Sequence, residues 1–266
     1  MTNKYMYFVA NWKMYGNSKS LNKLDKVIKF SKSKEIKKGR LIYCPPYTLL
    51  SSFFKKFQNC LIDIGGQNCH EDKGYGPHTG YINAEMLKNI GANYVIIGHS
   101  ENREKGETDK LINKKIKSAI KANLKVIFCI GETLKEKRSG KTKSVLSRQI
   151  KLGLDKIDKK SNFFIAYEPV WSIGTGKIPN TNELEQAIKF IKSKFKFKMP
   201  KILYGGSVNP ENIKKNNKKM KVLYGGSVNP KNVNKLKLIK NIDGFLIGGA
   251  SQNSKKFIDI VKKTYT

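Results

Sequence analysis

Residues 163–177 read FFIAYEPVWSIGTGK, and this stretch decides the fold. Phe163 to Tyr167 form a continuous apolar run of strand length, without the polar alternation of a strand that has one face in water. Such a run belongs to a strand covered on both faces, as in parallel sheets. Glu168 ends it. A carboxylate at the end of a buried strand is costly unless it opens onto a solvated mouth, where partial burial makes it a better base. Pro169 and the glycines of Gly174–Thr175–Gly176 then suggest a loop with stiff ends and a closable tip. Strand, polar end and glycine-bearing loop are the parts of one βα unit.

Similar runs recur on both sides. Tyr7–Asn11, Leu41–Cys44, Leu61–Gly65, Tyr94–Gly98 and Leu124–Cys129 come before; Ile202–Tyr204, Val222–Tyr224 and Phe245–Ile247 follow. Helical periodicity fills the intervals. Leu21, Leu24, Ile28 and Ser31 share one face, and Asp109, Leu111, Ile112, Ile116 and Ile120 outline a second helix. Asn182, Leu184, Ala187, Ile188 and Ile191 outline a third, with Thr181 or Asn182 as its cap. Repeated βα units imply a parallel sheet. Eight of them close a (β/α)8 barrel of roughly 250 residues, near the 266 present. The alternative, an open doubly wound sheet, lacks its marker, because no GxGxxG follows the first strand. No linker rich in Pro, Gly and Ser divides the chain, so one domain over 1–266 is expected.

One segment is written twice. LYGGSVNP occupies 203–210 and again 223–230, an offset of 20 residues (223 − 203). A solenoid needs at least three such units. The expectation is therefore a barrel with a local 20-residue tandem duplication around its seventh strand and the loop after it.

Composition sets limits. Basic residues exceed acidic ones by 33 (53 − 20), and only Arg40, Arg103, Arg138 and Arg148 among them are Arg. The Lys residues are spread along the chain rather than gathered into a stripe, and Arg is the residue favoured for bidentate base and phosphate clamps. The charge reads as a compositional habit, not a nucleic-acid surface. No apolar run approaches membrane-spanning length, and the short one at the N-terminus reads as a strand rather than a leader. Cys44, Cys60, Cys69 and Cys129 form no CxxC pattern, which fits free thiols in a reducing cytoplasm.

Polar and glycine-rich residues cluster just after the candidate strands, where a barrel gathers its βα loops onto one mouth. Asn11, Trp12 and Lys13 follow the first strand, and Lys13 offers a point charge for an anionic substrate. His99 follows Ile97–Gly98, with Glu101 close behind; His is the usual side chain for proton transfer near neutral pH. Gly174–Thr175–Gly176, Gly225–Gly226–Ser227 and Gly248–Gly249–Ala250 are turns whose N–H groups could cradle a phosphate. With no P-loop and no DxD or HxH cluster, these features point to a small phosphorylated ligand and no metal or cofactor.

Taken together, NWKMYGN (11–17), GGQNCH (65–70), GHSENR (98–103), GETD (106–109), CIGE (129–132), YEPVWSIGTGK (167–177), LYGGSVNP and DGFLIGGAS (243–251) are specific. Through them the chain resembles the triosephosphate isomerase family over essentially its whole length. The resemblance implies a TIM barrel that interconverts D-glyceraldehyde 3-phosphate and dihydroxyacetone phosphate through an enediolate. It implies Glu168 as the base, His99 as the electrophile that polarises the carbonyl, and Lys13 as the charge that stabilises the enediolate. Asn11 is implied as a substrate contact, and Glu101 as a partner near Lys13. Gly174, one YGGS serine, Gly248 and Gly249 are implied as the phosphate site. The family is usually a cytoplasmic homodimer, with Thr79 of the loop Gly74 to Gly80 reaching the partner's site.

Two departures touch that contact: Tyr81 stands where the family commonly has Glu, and Asn102 where it commonly has Arg. A dimer with the contact rebuilt from neutral groups is expected. For the phosphate serine the expectation is Ser227, which lies 21 residues before Gly248 (248 − 227), the family's spacing; Ser207 lies 41 before it (248 − 207). Val233, Leu236 and Ile239 after the second copy also make a buried helix face, whereas residues 213–219 after the first do not. Ser207 is the alternative. A lyase or epimerase on the same scaffold would show a Schiff-base Lys or metal ligands at strand ends. The non-enzymatic alternative is a barrel impaired by the duplication, or a basic nucleic-acid-binding scaffold.

Overall fold

The computed structural model describes residues 5–33, 36, 39–158, 161–173, 179–195, 201–204, 230, 233–236 and 242–265. Strands that are apolar on both faces satisfy their edges by pairing with one another, and here they do so in chain order until the ring closes. The strands are β1 (Met6–Asn11), β2 (Gly39–Cys44), β3 (Ile62–Gly66), β4 (Tyr94–Ile97), β5 (Lys125–Ile130), β6 (Phe163–Tyr167), β7 (Lys201–Tyr204) and β8 (Gly244–Ile247). They form a closed parallel barrel, with β8 returning to β1. Phe8 sits opposite Leu41 on one side and Phe245 on the other. Asn11 pairs with Cys44, and Ile130 with Tyr167, so several strands finish at one mouth.

The helices are α1 (Asp25–Ser31), α2 (Tyr47–Phe57), α3 (Ala84–Asn89), α4 (Ser100–Glu104), α5 (Asp109–Lys121), α6 (Leu134–Arg138), α7 (Thr142–Gly153), α8 (Thr181–Ser193), α9 (Val233–Leu236) and α10 (Ser254–Tyr265). Their apolar stripes close over the strands: Ile112, Ile116 and Ala119 of α5, and Leu184, Ile188 and Ile191 of α8, are buried. Among the described residues, no helix is long and apolar enough to cross a membrane.

Two expectations shift. Before α1 the chain winds as a 3-10 helix over Ser18–Leu24, and the buried set becomes Leu24, Val27, Phe30 and Ser31. A tighter turn of three residues rotates the stripe away from Leu21 and Ile28, which are only partly buried. The cap of α8 is Asn180, not Thr181 or Asn182. Its Oδ1 accepts from the Glu183 N–H at 2.8 Å, and Glu183 Oε2 accepts from the Asn180 N–H at 3.0 Å. This reciprocal pair satisfies two otherwise orphaned groups.

The duplicated segment is shared out. The seventh strand uses Leu203 and Tyr204 of the first copy, with Tyr204 opposite Phe245. The helix that follows, α9, begins at Val233, after the second copy, and Val233 is fully buried. The expected strand Val222–Tyr224, together with Gly174, Ser207 and Ser227, lies outside the described residues.

Candidate active site

The end of β1 sets the first group. Lys13 has φ of 52°, a left-handed conformation uncommon for a residue with a side chain. Backbone of this kind costs about 1–3 kcal/mol and persists only where neighbours enforce it. Here the Lys13 N–H donates to Asn11 Oδ1 at 3.1 Å, and Gln67 Nε2 donates to the carbonyls of Lys13 and Cys44, each at 2.8 Å. The turn places Lys13 Nζ 2.6 Å from Glu101 Oε1. Burial pushes the Glu101 carboxyl up, but the hydrogen bond from Lys13, with the charges of His99 and Lys13, outweighs it and leaves the group below its ordinary value.

The end of β4 sets the second. Gly98 adopts φ of 74°, which turns the chain so that His99 caps α4. His99 Nδ1 accepts the Glu101 N–H at 3.2 Å. A ring nitrogen that accepts from a backbone N–H carries a lone pair, so in the neutral ring the hydrogen sits on Nε2. His99 Nε2 faces Glu168 Oε1 at 3.7 Å. Arg103 fixes this corner: Nε donates to the Gly98 carbonyl at 2.7 Å, one terminal nitrogen to the Cys129 carbonyl at 3.0 Å, and the other to Asp109 at 2.6 Å.

The end of β6 sets the third. Glu168 is 2% exposed, its N–H donates to the Ile130 carbonyl at 2.7 Å, and among the described residues its Oε2 accepts no hydrogen bond. A buried carboxylate oxygen left free is one held for something else. Burial, with the adjacent Glu168 carboxylate, holds the Cys129 thiol well above its ordinary range, which keeps it an inert neighbour. Gly131 is required by this approach, since a Cβ there would lie 1.7 Å from the Glu168 carbonyl oxygen.

The structure thus brings Asn11, Lys13, His99, Glu101 and Glu168 together. Asn11, Lys13, His99 and Glu101 line one cavity of about 660 Å³. Gly248, just after β8, belongs to the same mouth: a Cβ on it would lie 3.8 Å from Lys13 Cε, while one on Gly249 meets nothing within 4 Å. Space is therefore open on the side of both glycines where a side chain would stand, next to the Lys13 stem.

Three residues escaped the sequence reading. Gln67 and Arg103 act by fixing strand ends. Glu132, 1% exposed, accepts from Trp171 Nε1 at 2.9 Å and from the Tyr167 hydroxyl at 3.1 Å, and so ties down the start of the loop after Glu168. Its signal was legible: it is a carboxylate two residues past a buried strand, as Glu168 is one residue past another. Burial raises its carboxyl above the ordinary value against the pull of Trp171 and Tyr167.

A family model described as triosephosphate isomerase matches residues 6–218 and 213–264, the second segment starting between the two LYGGSVNP copies. The triosephosphate isomerase of Thermodesulfovibrio yellowstonii is 40% identical over 96% of this chain and 98% of its own. That of Dictyoglomus turgidum is 40% identical over 95% and 97%. The crystal structure of triosephosphate isomerase from Bartonella henselae superposes with a TM-score of 0.82 at 34% identity, over 98% of this chain and all of that one. A closed barrel, polar strand ends meeting at one mouth and a family match spanning both ends place this chain in the triosephosphate isomerase family.

Proposed function

We propose that Glu168, His99 and Lys13 carry the interconversion of D-glyceraldehyde 3-phosphate and dihydroxyacetone phosphate, within a single (β/α)8 domain spanning 1–266. Glu168 removes a proton from the carbon next to the carbonyl and returns it to the neighbouring carbon. His99 Nε2–H polarises the carbonyl and moves protons between the two oxygens. Lys13 offsets the negative charge that builds on the enediolate. Asn11 contacts the substrate, and Glu101 steadies Lys13. The observation that carries this reading is one linked set: Glu101 takes the Lys13 ammonium at 2.6 Å, and its N–H fixes the His99 ring whose other nitrogen faces Glu168 at 3.7 Å. No metal or cofactor enters these steps.

The test is a coupled assay of glyceraldehyde 3-phosphate conversion with Glu168→Gln and His99→Gln. Removing a positioned acid or base lowers kcat by about 10²–10⁴-fold. Near-parental kcat in a folded variant would refute the assignment.

The phosphate is held by Gly174, Gly248, Gly249 and a serine. Spacing to Gly248 and the burial of Val233 favour Ser227. A second reading, Ser207, is favoured by the seventh strand's use of Leu203 and Tyr204, three residues before it. Ser207→Ala and Ser227→Ala, assayed separately, decide between them: the phosphate residue is the one whose loss raises KM.

The partner is a second copy of the chain. Met14, Tyr15, Tyr75 and Tyr81 are exposed apolar side chains on loops at this mouth, with Met14 94% exposed. Such a set favours burial against a protein surface. With Tyr81 and Asn102 replacing a charged pair, the contact is neutral. Sedimentation showing only monomer at micromolar concentration would exclude it. Free Cys44, Cys60, Cys69 and Cys129 suit a reducing cytoplasm.

A further inference from the structure

We propose that His70, Asp72 and His78 form a binding site for one divalent transition ion of zinc's class, bridging the base and the tip of the loop after β3. The sequence spacing hides it, because the two histidines are eight residues apart (78 − 70) and show no familiar metal motif. Folding brings them together. The two rings stack at 4.2 Å between centroids, and the three ligand atoms all lie within 4.8 Å of one another. His70 Nδ1 is 3.7 Å from Asp72 Oδ2, and His78 Nε2 is 2.5 Å from that same oxygen. Around a tetrahedral ion with bonds of about 2.0–2.1 Å, donor atoms stand about 3.4 Å apart. Small side-chain rotations bring all three to that distance, with the ion replacing the proton now shared by His78 and Asp72.

The state of His70 is compatible with an ion. Its Nδ1 is unprotonated and accepts the Asp72 N–H only in a long bond of 3.3 Å, which an ion would displace to take that lone pair. Its Nε2 then carries the hydrogen in the neutral ring and faces Glu71 Oε2 at 3.5 Å. A ligating imidazole that gives its other N–H to a carboxylate is the usual arrangement around protein-bound metals. The frame is set in advance, because Ser118 Oγ donates to the Asp72 carbonyl at 2.8 Å and the His70 N–H to the Ile82 carbonyl at 2.8 Å. Two imidazoles and one carboxylate suit zinc, nickel or copper rather than magnesium or calcium. Asp72 and His78 are exposed, which leaves room for water in the remaining position. The ion would stiffen residues 73–77 by joining the two sides of their loop.

The experiment is equilibrium dialysis of the untagged full-length protein against Zn²⁺, with Co²⁺ as a spectroscopic stand-in. We expect one Zn²⁺ per chain, and a cobalt spectrum with visible bands but no thiolate charge-transfer band in the near-ultraviolet. His78→Phe, which keeps an aromatic ring in the exposed loop, and Asp72→Asn should each abolish the stoichiometric binding. Glu71→Gln should weaken it about tenfold, the low end for loss of a ligand's outer partner. The proposal is overturned if no Zn²⁺ is retained, if His78→Phe binds as the parent does, or if cobalt shows thiolate ligation and thus capture by a cysteine.

Discussion

Replacing Gly131 by Ala tests how the catalytic carboxylate is placed. Gly131 follows β5 where Glu168 leaves β6, and an added Cβ would stand 1.7 Å from the Glu168 carbonyl oxygen and 2.5 Å from its carbonyl carbon. Even a close C···O contact is about 3.3 Å, so the two backbones must part by about 1.6 Å (3.3 − 1.7). The Glu168 N–H bond to the Ile130 carbonyl, now 2.7 Å, is in the path of that movement. Overpacking of this kind costs about 1–3 kcal/mol, and each kcal/mol moves Tm by roughly 2–4 °C in a chain of this size. A base displaced by about 1 Å loses roughly 100-fold in rate. Gly153→Ala is the control, because its Cβ meets the Phe128 ring at 2.4 Å and leaves Glu168 alone. Both variants should melt earlier, but only Gly131→Ala should lose kcat/KM in the coupled assay. Equal activity in the two variants, whether kept or lost, would refute the reasoning.

Glu132 should make the fold less stable as pH rises. Burial raises its folded pKa above the ordinary 4.5, so the native state holds the proton longer than the unfolded chain does, and this group's contribution falls as pH climbs from 4.5 through the folded value. Glu132→Gln should lose that fall in a series of urea midpoints, and parallel profiles would refute it. Glu101 has the opposite sign: its folded pKa lies below 4.5, so its contribution is present above that value and is lost as pH drops through the folded one. Glu101→Gln should therefore flatten the acid limb, by a small amount because the side chain is half exposed. Arg103→Leu leaves the Gly98 and Cys129 carbonyls without their donor while Asp109 keeps Arg148 at 3.2 Å, and should cost about 1–3 kcal/mol in chemical denaturation; a loss below about 1 kcal/mol would place it among surface pairs.

The barrel was legible because its strands are buried on both faces, so Phe163–Tyr167 and its counterparts appear as unbroken apolar runs. The strand-end residues His99 and Glu168 were legible for the same reason, as polar interruptions at fixed positions. What was not legible depends on distance through space. Gln67 and Arg103 look like ordinary polar residues until their partners, the carbonyls of Lys13, Cys44, Gly98 and Cys129, are folded against them. The cap of α8 is ambiguous in the sequence because Asn180 and Asn182 each stand three residues before a Glu, Glu183 and Glu185, and only the fold shows that the box closes on Asn180. The two copies of LYGGSVNP carry the same local preferences, so nothing inside either one could say which enters the sheet. Pairing with β6 and β8 makes that choice.

The split use of those copies makes the duplication erasable. Removing 20 residues anywhere in register, 203–222 or 211–230, leaves one and the same polypeptide, because the two octapeptides are identical. That shortened chain still holds Lys201–Tyr204 and Val233–Leu236, the strand and helix the barrel uses. Eight residues, 205–210 with 231 and 232, would join them. The one octapeptide serine left would lie 21 residues before Gly248 and three after Tyr204, and so meet both criteria that now divide Ser227 from Ser207. A gene that gained this segment by copying could lose it by a single slip, with no scar in the protein.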